Sequence, residues 1–151
     1  MKKTLSLLLS LVLMLSLALP ASAAETEYPT LEGGVTEIQK YGNIVLDIDP
    51  ADLKDGGYTY GDLLTVTVNG TGYDMPLCTN YSDVDTGALV LRDSEGVLIA
   101  AINMGDFATS NGLAAKVTAE DGSYTWEFPE GQSLESITVP ISMKEQGGYY
   151  D

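Results

Sequence analysis

The chain has 151 residues, of which 22 are acidic, seven are basic, none is histidine and one is cysteine, so its formal charge is −15. The lack of histidine excludes Ser-His-Asp and Cys-His catalysis, histidine-ligated zinc and a histidine switch near neutral pH. The acidic excess argues against DNA or RNA as a partner, because phosphate binding depends on clustered Lys and Arg. The lone Cys78 is expected to be a buried small hydrophobe.

Residues 1–23 have the pattern of a secretory signal peptide. Two lysines precede an apolar run over residues 5–19, and Ala21-Ser22-Ala23 supplies small residues for cleavage. The run is short for a membrane span, which needs about 20 residues. We therefore expect a secreted or extracytoplasmic protein with no stable membrane span after cleavage. The remaining chain has five basic and 22 acidic residues, a charge of −17.

The first half of the exported chain predicts short strands joined by turns. After a polar tail at residues 24–30, two strands are expected on either side of Tyr41-Gly42-Asn43, followed by an acidic loop at residues 47–55. Strict alternation over residues 64–69 predicts a strand with one apolar face. Asn69-Gly70 indicates a hairpin turn into a partner strand over residues 73–78, where Pro76 favours an edge or a bulge.

The second half continues the strand pattern. A hairpin is predicted from residues 88–92 and 97–102, joined by a four-residue turn at 93–96, and its second strand is apolar on both faces, as in a strand covered on both sides. One helical turn is expected at residues 106–111. Two alternating stretches follow, at 124–128 and 137–143. The pattern predicts an all-β fold, a small β-barrel or sandwich of short antiparallel strands with at most one short helix.

The acidic loop is a candidate for cation binding. Asp47, Asp49, Asp52 and Asp55 lie within nine residues, and clustered carboxylates can hold a hard cation such as calcium. The spacing does not match an EF-hand loop, and a solvated acidic loop is the favoured interpretation. We predict no metal-ligating residue.

Aromatic residues are the other candidates. Nine tyrosines and Trp126 are suited to stacking against a sugar or a base, although most lie in alternating stretches where aromatic residues are ordinary strand formers. Tyr41 and Tyr81 differ from the others, because both lie in loops beside turn residues.

Three segments, in order, resemble the C-terminal domain of S-adenosylmethionine (SAM) hydroxide adenosyltransferases and the related halogenating enzymes. Residues 37–48 resemble its aromatic-Gly-Asn segment and residues 79–87 its aromatic loop. Residues 93–105 resemble its Ser-Arg-Gly hairpin, which is followed by an apolar strand and Asn. The resemblance implies a β-barrel domain at 31–118, with additional strands and a C-terminal extension at 119–151.

The resemblance also implies a ligand site. In that family the domain provides the adenine-binding side of a site that the N-terminal domain of a neighbouring subunit completes. By resemblance, two aromatic residues would stack on the adenine, while two asparagines and the backbone near two further residues would hydrogen-bond its edge. The implied ligand is SAM, adenosine or a similar nucleoside, and the implied ligand-binding residues are Tyr41, Asn43, Tyr81, Ser94, Asn103 and Met104.

Departures from the family pattern shift the expectation away from catalysis. Gln39 stands where the family usually has aspartate, Glu95 stands where it often has arginine, and only a tail and the leader precede Leu31. We therefore expect no catalytic residue and a stand-alone, non-catalytic module. Two alternatives stay open, namely one half of a composite SAM-hydrolysing enzyme whose N-terminal-domain partner is encoded separately, and a secreted interaction scaffold without a ligand site.

Overall fold

The computed structural model describes residues 26–149, so the predicted signal peptide lies outside the described residues. Within that range, strands dominate and the all-β class is confirmed. No helix in these residues is long and apolar enough to cross a membrane. The elements are β1 Val35–Ile38, β2 Ile44–Leu46, α1 Pro50–Asp55, β3 Leu63–Val68, β4 Thr71–Cys78, β5 Leu89–Ser94, β6 Val97–Ile102, α2 Phe107–Ser110, β7 Ala115–Thr118, β8 Tyr124–Glu127 and β9 Ile141–Glu145, with 3-10 turns at Tyr81–Asp83 and Leu134–Ser136.

Seven strands form one sheet in the order β1-β2-β6-β5-β4-β3-β9, and β7 and β8 form a separate two-stranded sheet. The large sheet is not closed into a barrel. Two isolated bridges, Leu31 with Ile141 and Gly34 with Thr138, link the segment before β1 to the β9 end. In residues 26–149 no continuous ladder connects β1 to β9.

One strand pair departs from the predicted antiparallel arrangement. β4 and β5 run parallel where Leu77 pairs with Leu91 and Cys78 with Arg92. Antiparallel neighbours can be joined by a two-residue turn, but these strands are separated by residues 79–88, which include a 3-10 turn. The longer connection lets β5 start beside the end of β4. Pro76, which lacks an N–H, lies in β4 just before this parallel ladder begins.

Both predicted hairpins form, with two-residue turns. Asn69 and Gly70 have φ values of 50° and 88°, and Val68 pairs directly with Thr71. The β5–β6 turn is shorter than the predicted four residues, since Ser94 pairs with Val97 and leaves only Glu95-Gly96, at φ 52° and 89°. Two consecutive positive φ values characterise the hairpin turn that matches the right-handed strand twist.

The expectation that residues 97–102 are covered on both faces is confirmed. In β6, Leu98 and Ala100 belong to the main core, while Ile99 and Ala101 belong to a second cluster on the opposite face. β6 lies between β2 and β5, so its backbone is paired on both edges. The centre of the sheet is therefore buried on both faces, and the loops at the two ends of β6 extend from this buried strand.

The acidic segment forms a second short helix that the sequence reading missed. Asp49 caps α1 by accepting a hydrogen bond from the Ala51 N–H at 2.9 Å, and Pro50 occupies the first turn, where its missing N–H costs nothing. Asp47 accepts from the Gly34 N–H at 2.6 Å. In residues 26–149 no group of three or more Asp, Glu or Cys is arranged to hold a metal ion.

The C-terminal extension is attached to the sheet through a buried carboxylate. β9 pairs with β3, and beyond it Asp62, only 1% exposed, accepts hydrogen bonds from the Gly147 and Thr59 N–H groups, each at 2.8 Å. A buried carboxylate is stable when its oxygens are hydrogen-bonded in this way. The segment after β9 is therefore fixed to the loop that precedes β3.

Removing this carboxylate should destabilise the fold. Asp62→Ala leaves two backbone N–H groups without their acceptor, and we expect a loss of about 1–3 kcal/mol in the free energy of unfolding by urea. Glu120→Ala, at an exposed turn residue, is the control and should change stability by less than about 0.5 kcal/mol. Equal losses in the two variants would contradict the anchoring role of Asp62.

Candidate functional site

A cavity of about 830 Å³ opens at one end of the β6 strand. Its volume lies in the range of about 300–1,000 Å³ that is typical of small-molecule sites. The loops after β1, β4 and β6 contribute most of its wall, and β5 and β7 contribute one residue each. The cavity is lined by Lys40, Tyr41, Asn43, Asn80, Tyr81, Ser82, Arg92, Ile102, Asn103, Met104, Gly105, Asp106 and Lys116.

The β1–β2 turn presents Tyr41 and Asn43 to the cavity. The Gln39 N–H donates to the Asn43 carbonyl at 2.8 Å, and the Gly42 N–H donates to the Gln39 carbonyl at 2.9 Å, which closes the turn. Gly42 has φ +86°, a conformation that glycine adopts without strain. Tyr41 is 71% exposed, so its ring has a face available for contact.

Gly42 is also the contact point between this turn and α2. The Ala108 N–H donates to the Gly42 carbonyl at 3.0 Å. A Cβ atom at position 42 would overlap Oδ1 of Asp106, so a side chain there would displace this carboxylate. Asp106 itself caps α2, accepting from the Thr109 N–H at 2.8 Å and from the Thr109 hydroxyl at 2.9 Å. The β1–β2 turn and the start of α2 therefore pack closely against each other at Gly42 and Asp106.

Tyr81 is fixed from several sides. Its hydroxyl accepts a hydrogen bond from Nδ2 of Asn43 at 3.3 Å, and the Arg92 guanidinium lies 4.5 Å from the centre of its ring. The 3-10 turn that carries Tyr81 is also held from the C-terminal extension, because the Tyr149 hydroxyl donates to the Asp83 carbonyl. The aromatic loop is thus positioned by the β1–β2 turn, β5 and the extension together.

Asn103 and Met104 follow β6 directly. The Asn103 side chain donates through Nδ2 to the Val84 carbonyl at 2.9 Å, while its N–H donates to the Ala88 carbonyl at 2.9 Å. Met104 has φ +59° and is 87% exposed. Positive φ in a residue other than glycine is strained and often occurs at binding sites.

The structure brings five of the six residues implied by the resemblance to one cavity: Tyr41, Asn43, Tyr81, Asn103 and Met104. Ser94 is not among the lining residues. It pairs with Val97 at the tip of the β5–β6 hairpin, whereas Ile102, at the opposite end of β6, lines the cavity. A two-residue turn holds the hairpin tip at the far end of these strands.

Sequence reasoning missed the charged residues of the site: Lys40, Arg92, Asp106 and Lys116. Lys116 reaches the cavity from β7, and its Nζ donates to the Lys40 carbonyl at 2.7 Å. The sequence carried one signal for them. Only five basic residues lie outside residues 1–23, so a basic residue next to a candidate site residue could have been included on that ground. Lys116 meets the Lys40 carbonyl through the packing of β7 against the β1–β2 turn, and no local sequence pattern predicts this packing.

Cys78 lies beside the site but is not part of its lining. It is 5% exposed and pairs with Arg92 in the parallel ladder, which confirms the expectation of a buried residue. Burial raises the pKa of the Cys78 thiol to about 11, and the nearby carboxylate of Asp83 adds to the effect. A neutral buried thiol is a poor nucleophile.

Sequence similarity connects the chain to one protein family. The model of a family described as "SAM hydroxide adenosyltransferase C-terminal domain" matches residues 33–119, more than half of the chain. The comparison with curated proteins found no match.

Two solved structures match part of this chain. An uncharacterized conserved protein from Thermotoga maritima matches with a TM-score of 0.56 and 20% identity over 75% of this chain. A conserved hypothetical protein from Thermus thermophilus matches with a TM-score of 0.43 and 22% identity over 74% of this chain. The chain spans 36% and 34% of the lengths of these two proteins. The Thermotoga match supports the fold alone.

The close contact at Gly42 generates a stability prediction. Gly70→Ala, at φ +88° with no atom within 4 Å of the added Cβ, should cost only the backbone strain of about 1–2 kcal/mol. Gly42→Ala has a similar φ but also meets Asp106, so urea unfolding should give at least about 1 kcal/mol of additional loss. If both variants lose the same stability, the packing of the turn against α2 is not tight.

The buried thiol generates a reactivity prediction. Folded protein at pH 8 should not react measurably with iodoacetamide at Cys78, because burial keeps the pKa of the thiol at about 11. Urea-unfolded protein should be alkylated rapidly at the same pH, as measured by mass spectrometry. Similar alkylation rates in the two states would mean that Cys78 is accessible in the native fold.

Proposed function

Because the chain belongs to the SAM hydroxide adenosyltransferase C-terminal domain family, we propose that it is an exported, non-catalytic module that binds adenosine or a similar flat ligand. The observation that carries the proposal is the convergence of Tyr41, Tyr81, Asn43 and Asn103 on one cavity. A planar base needs an aromatic face together with a few fixed polar groups, and these four side chains supply both.

The two asparagines favour a ligand that donates hydrogen bonds. Asn43 and Asn103 each use Nδ2 toward the protein, Asn43 to Tyr81 and Asn103 to Val84. Neither Oδ1 atom accepts a hydrogen bond from any residue in the range 26–149. Each can therefore accept from an amino group on the edge of a base, such as the exocyclic amine of adenine.

The carboxylate chemistry favours binding over catalysis. Asp106 is the one acidic residue that lines the cavity within the described range, and both of its oxygens accept hydrogen bonds from Thr109. A general base must be within reach of the proton that it removes and free to accept it. Asp106 instead caps α2.

A second candidate function is one half of a composite SAM-hydrolysing site. Two residues at the cavity, Tyr41 and Met104, are 71% and 87% exposed, and exposed apolar groups beside a cavity suit a further domain that covers it. A neighbouring gene for an exported N-terminal domain of the family would favour this candidate. Release of adenosine from SAM by the two proteins together, and by neither alone, would establish it.

Calorimetric titration with adenosine tests the first proposal. Residues 24–151, which contain every described element, should bind adenosine, and Tyr41→Ala should weaken binding by about 1–3 kcal/mol because a stacking face is lost. Tyr60→Ala is the matched control. Tyr60 is also exposed and also lies beneath a lysine, but it does not line this cavity. The absence of heat at millimolar adenosine would refute the proposal and leave the scaffold alternative.

A further inference from the structure

Basic residues are concentrated at the cavity. Outside residues 1–23 the sequence has five basic and 22 acidic residues, and three of the five basic ones, Lys40, Arg92 and Lys116, line the cavity. Asp106 is the only acidic lining residue among the described residues. The lining therefore carries a formal charge of +2 in a chain whose overall formal charge is −15. The site has the opposite sign to the rest of the molecule.

None of these three cations is paired with a carboxylate. Across residues 26–149, the one ion pair within 4.0 Å joins Lys144 and Asp74, and neither residue lines the cavity. Lys40 lies 5.7 Å from the centre of the Tyr41 ring, and its ammonium donates no hydrogen bond to a described residue. In a chain with a large acidic excess, unpaired cations at one site are unexpected for a purely structural role.

Arg92 is preorganised for an anion. Its Nε donates to the Thr79 carbonyl at 3.1 Å and its guanidinium lies over the Tyr81 ring, which fixes the group. The two terminal amino groups donate to no residue in the described range. A guanidinium held in this way can bind phosphate or carboxylate through two parallel hydrogen bonds.

We infer that the cavity takes a nucleoside that carries an anionic group, such as a nucleoside monophosphate, in preference to a neutral nucleoside or to SAM. The inference rests on the proposed function, which supplies the base-binding side, and adds the cationic side formed by Lys40, Arg92 and Lys116. The anion relieves the mutual repulsion of three like charges that line one cavity. The acidic exterior disfavours long polyanions, so a small anionic ligand fits the charge distribution better.

SAM fits the lining less well. Its aromatic base suits Tyr41 and Tyr81, but its sulfonium and ammonium groups outnumber its one carboxylate, so its net charge at neutral pH is positive. Three unpaired cations line the cavity, and the one lining carboxylate is already bonded to Thr109. Placing a sulfonium there adds a like charge, which electrostatic complementarity disfavours.

Comparative calorimetry of residues 24–151 tests the inference. Adenosine 5′-monophosphate should bind at least about tenfold more tightly than adenosine at low salt, because charge-assisted hydrogen bonds are added, and the advantage should shrink as salt is raised. Inorganic phosphate and SAM should both bind more weakly than the monophosphate.

A lysine pair provides the matched variants. Lys40→Met should reduce the affinity for the monophosphate by about three- to tenfold and should change the adenosine affinity by a smaller factor. Lys54→Met removes the same charge from a lysine that also lies over a tyrosine ring, at 5.6 Å compared with 5.7 Å for Lys40, but outside the cavity lining. It should leave both affinities near those of the parent protein.

The outcomes separate the two claims. Equal affinities for adenosine and its monophosphate would overturn the anionic preference and leave the proposed function intact. Binding of inorganic phosphate as tightly as the monophosphate would also overturn the inference, because the base would then contribute nothing. If millimolar adenosine gives no heat, the proposed function itself fails.

Discussion

The site depends on one close approach of backbone to side chain, where the β1–β2 turn meets the start of α2. Gly42 leaves room for the Asp106 carboxylate, and the Gly42 carbonyl accepts from the first turn of that helix. Tyr41 and Asn43 flank this contact on one side, while Asn103 and Met104 immediately precede it on the other. The β2–β6 ladder places these two loops side by side, and the contact between Gly42 and Asp106 adds a close packing point between them.

Much of the fold follows from local sequence patterns. Alternation, the Asn69-Gly70 turn and the apolar run in β6 predicted strands that the structure contains, because each depends on side-chain period or on φ at adjacent residues. The parallel β4–β5 pair and the open sheet were not predictable in this way. They depend on where long connections such as residues 79–88 place the next strand, and side-chain periodicity does not encode that placement. α1 was missed although Asp49-Pro50 carries its capping signal, since the cluster of acids was read as a loop.

The aromatic and amide residues of the candidate site came from the family resemblance, and five of the six implied residues converge on the cavity. Ser94 does not, because it lies at the tip of the β5–β6 hairpin, at the opposite end of β6 from the cavity. The cationic residues could not be found from motifs. Lys40 and Lys116 are 76 positions apart and meet only because β7 packs against the β1–β2 turn.

The cavity differs in charge from the rest of the molecule, because cations without carboxylate partners line it while the chain as a whole is acidic. The most direct test uses the fact that Arg92 is the only arginine in the chain, so a ¹⁵N spectrum has a single arginine Nε–H signal to assign. Addition of adenosine 5′-monophosphate should shift that signal in a saturable way, and adenosine should shift it much less. An Arg92 signal that stays unchanged while the monophosphate is in excess would contradict the account.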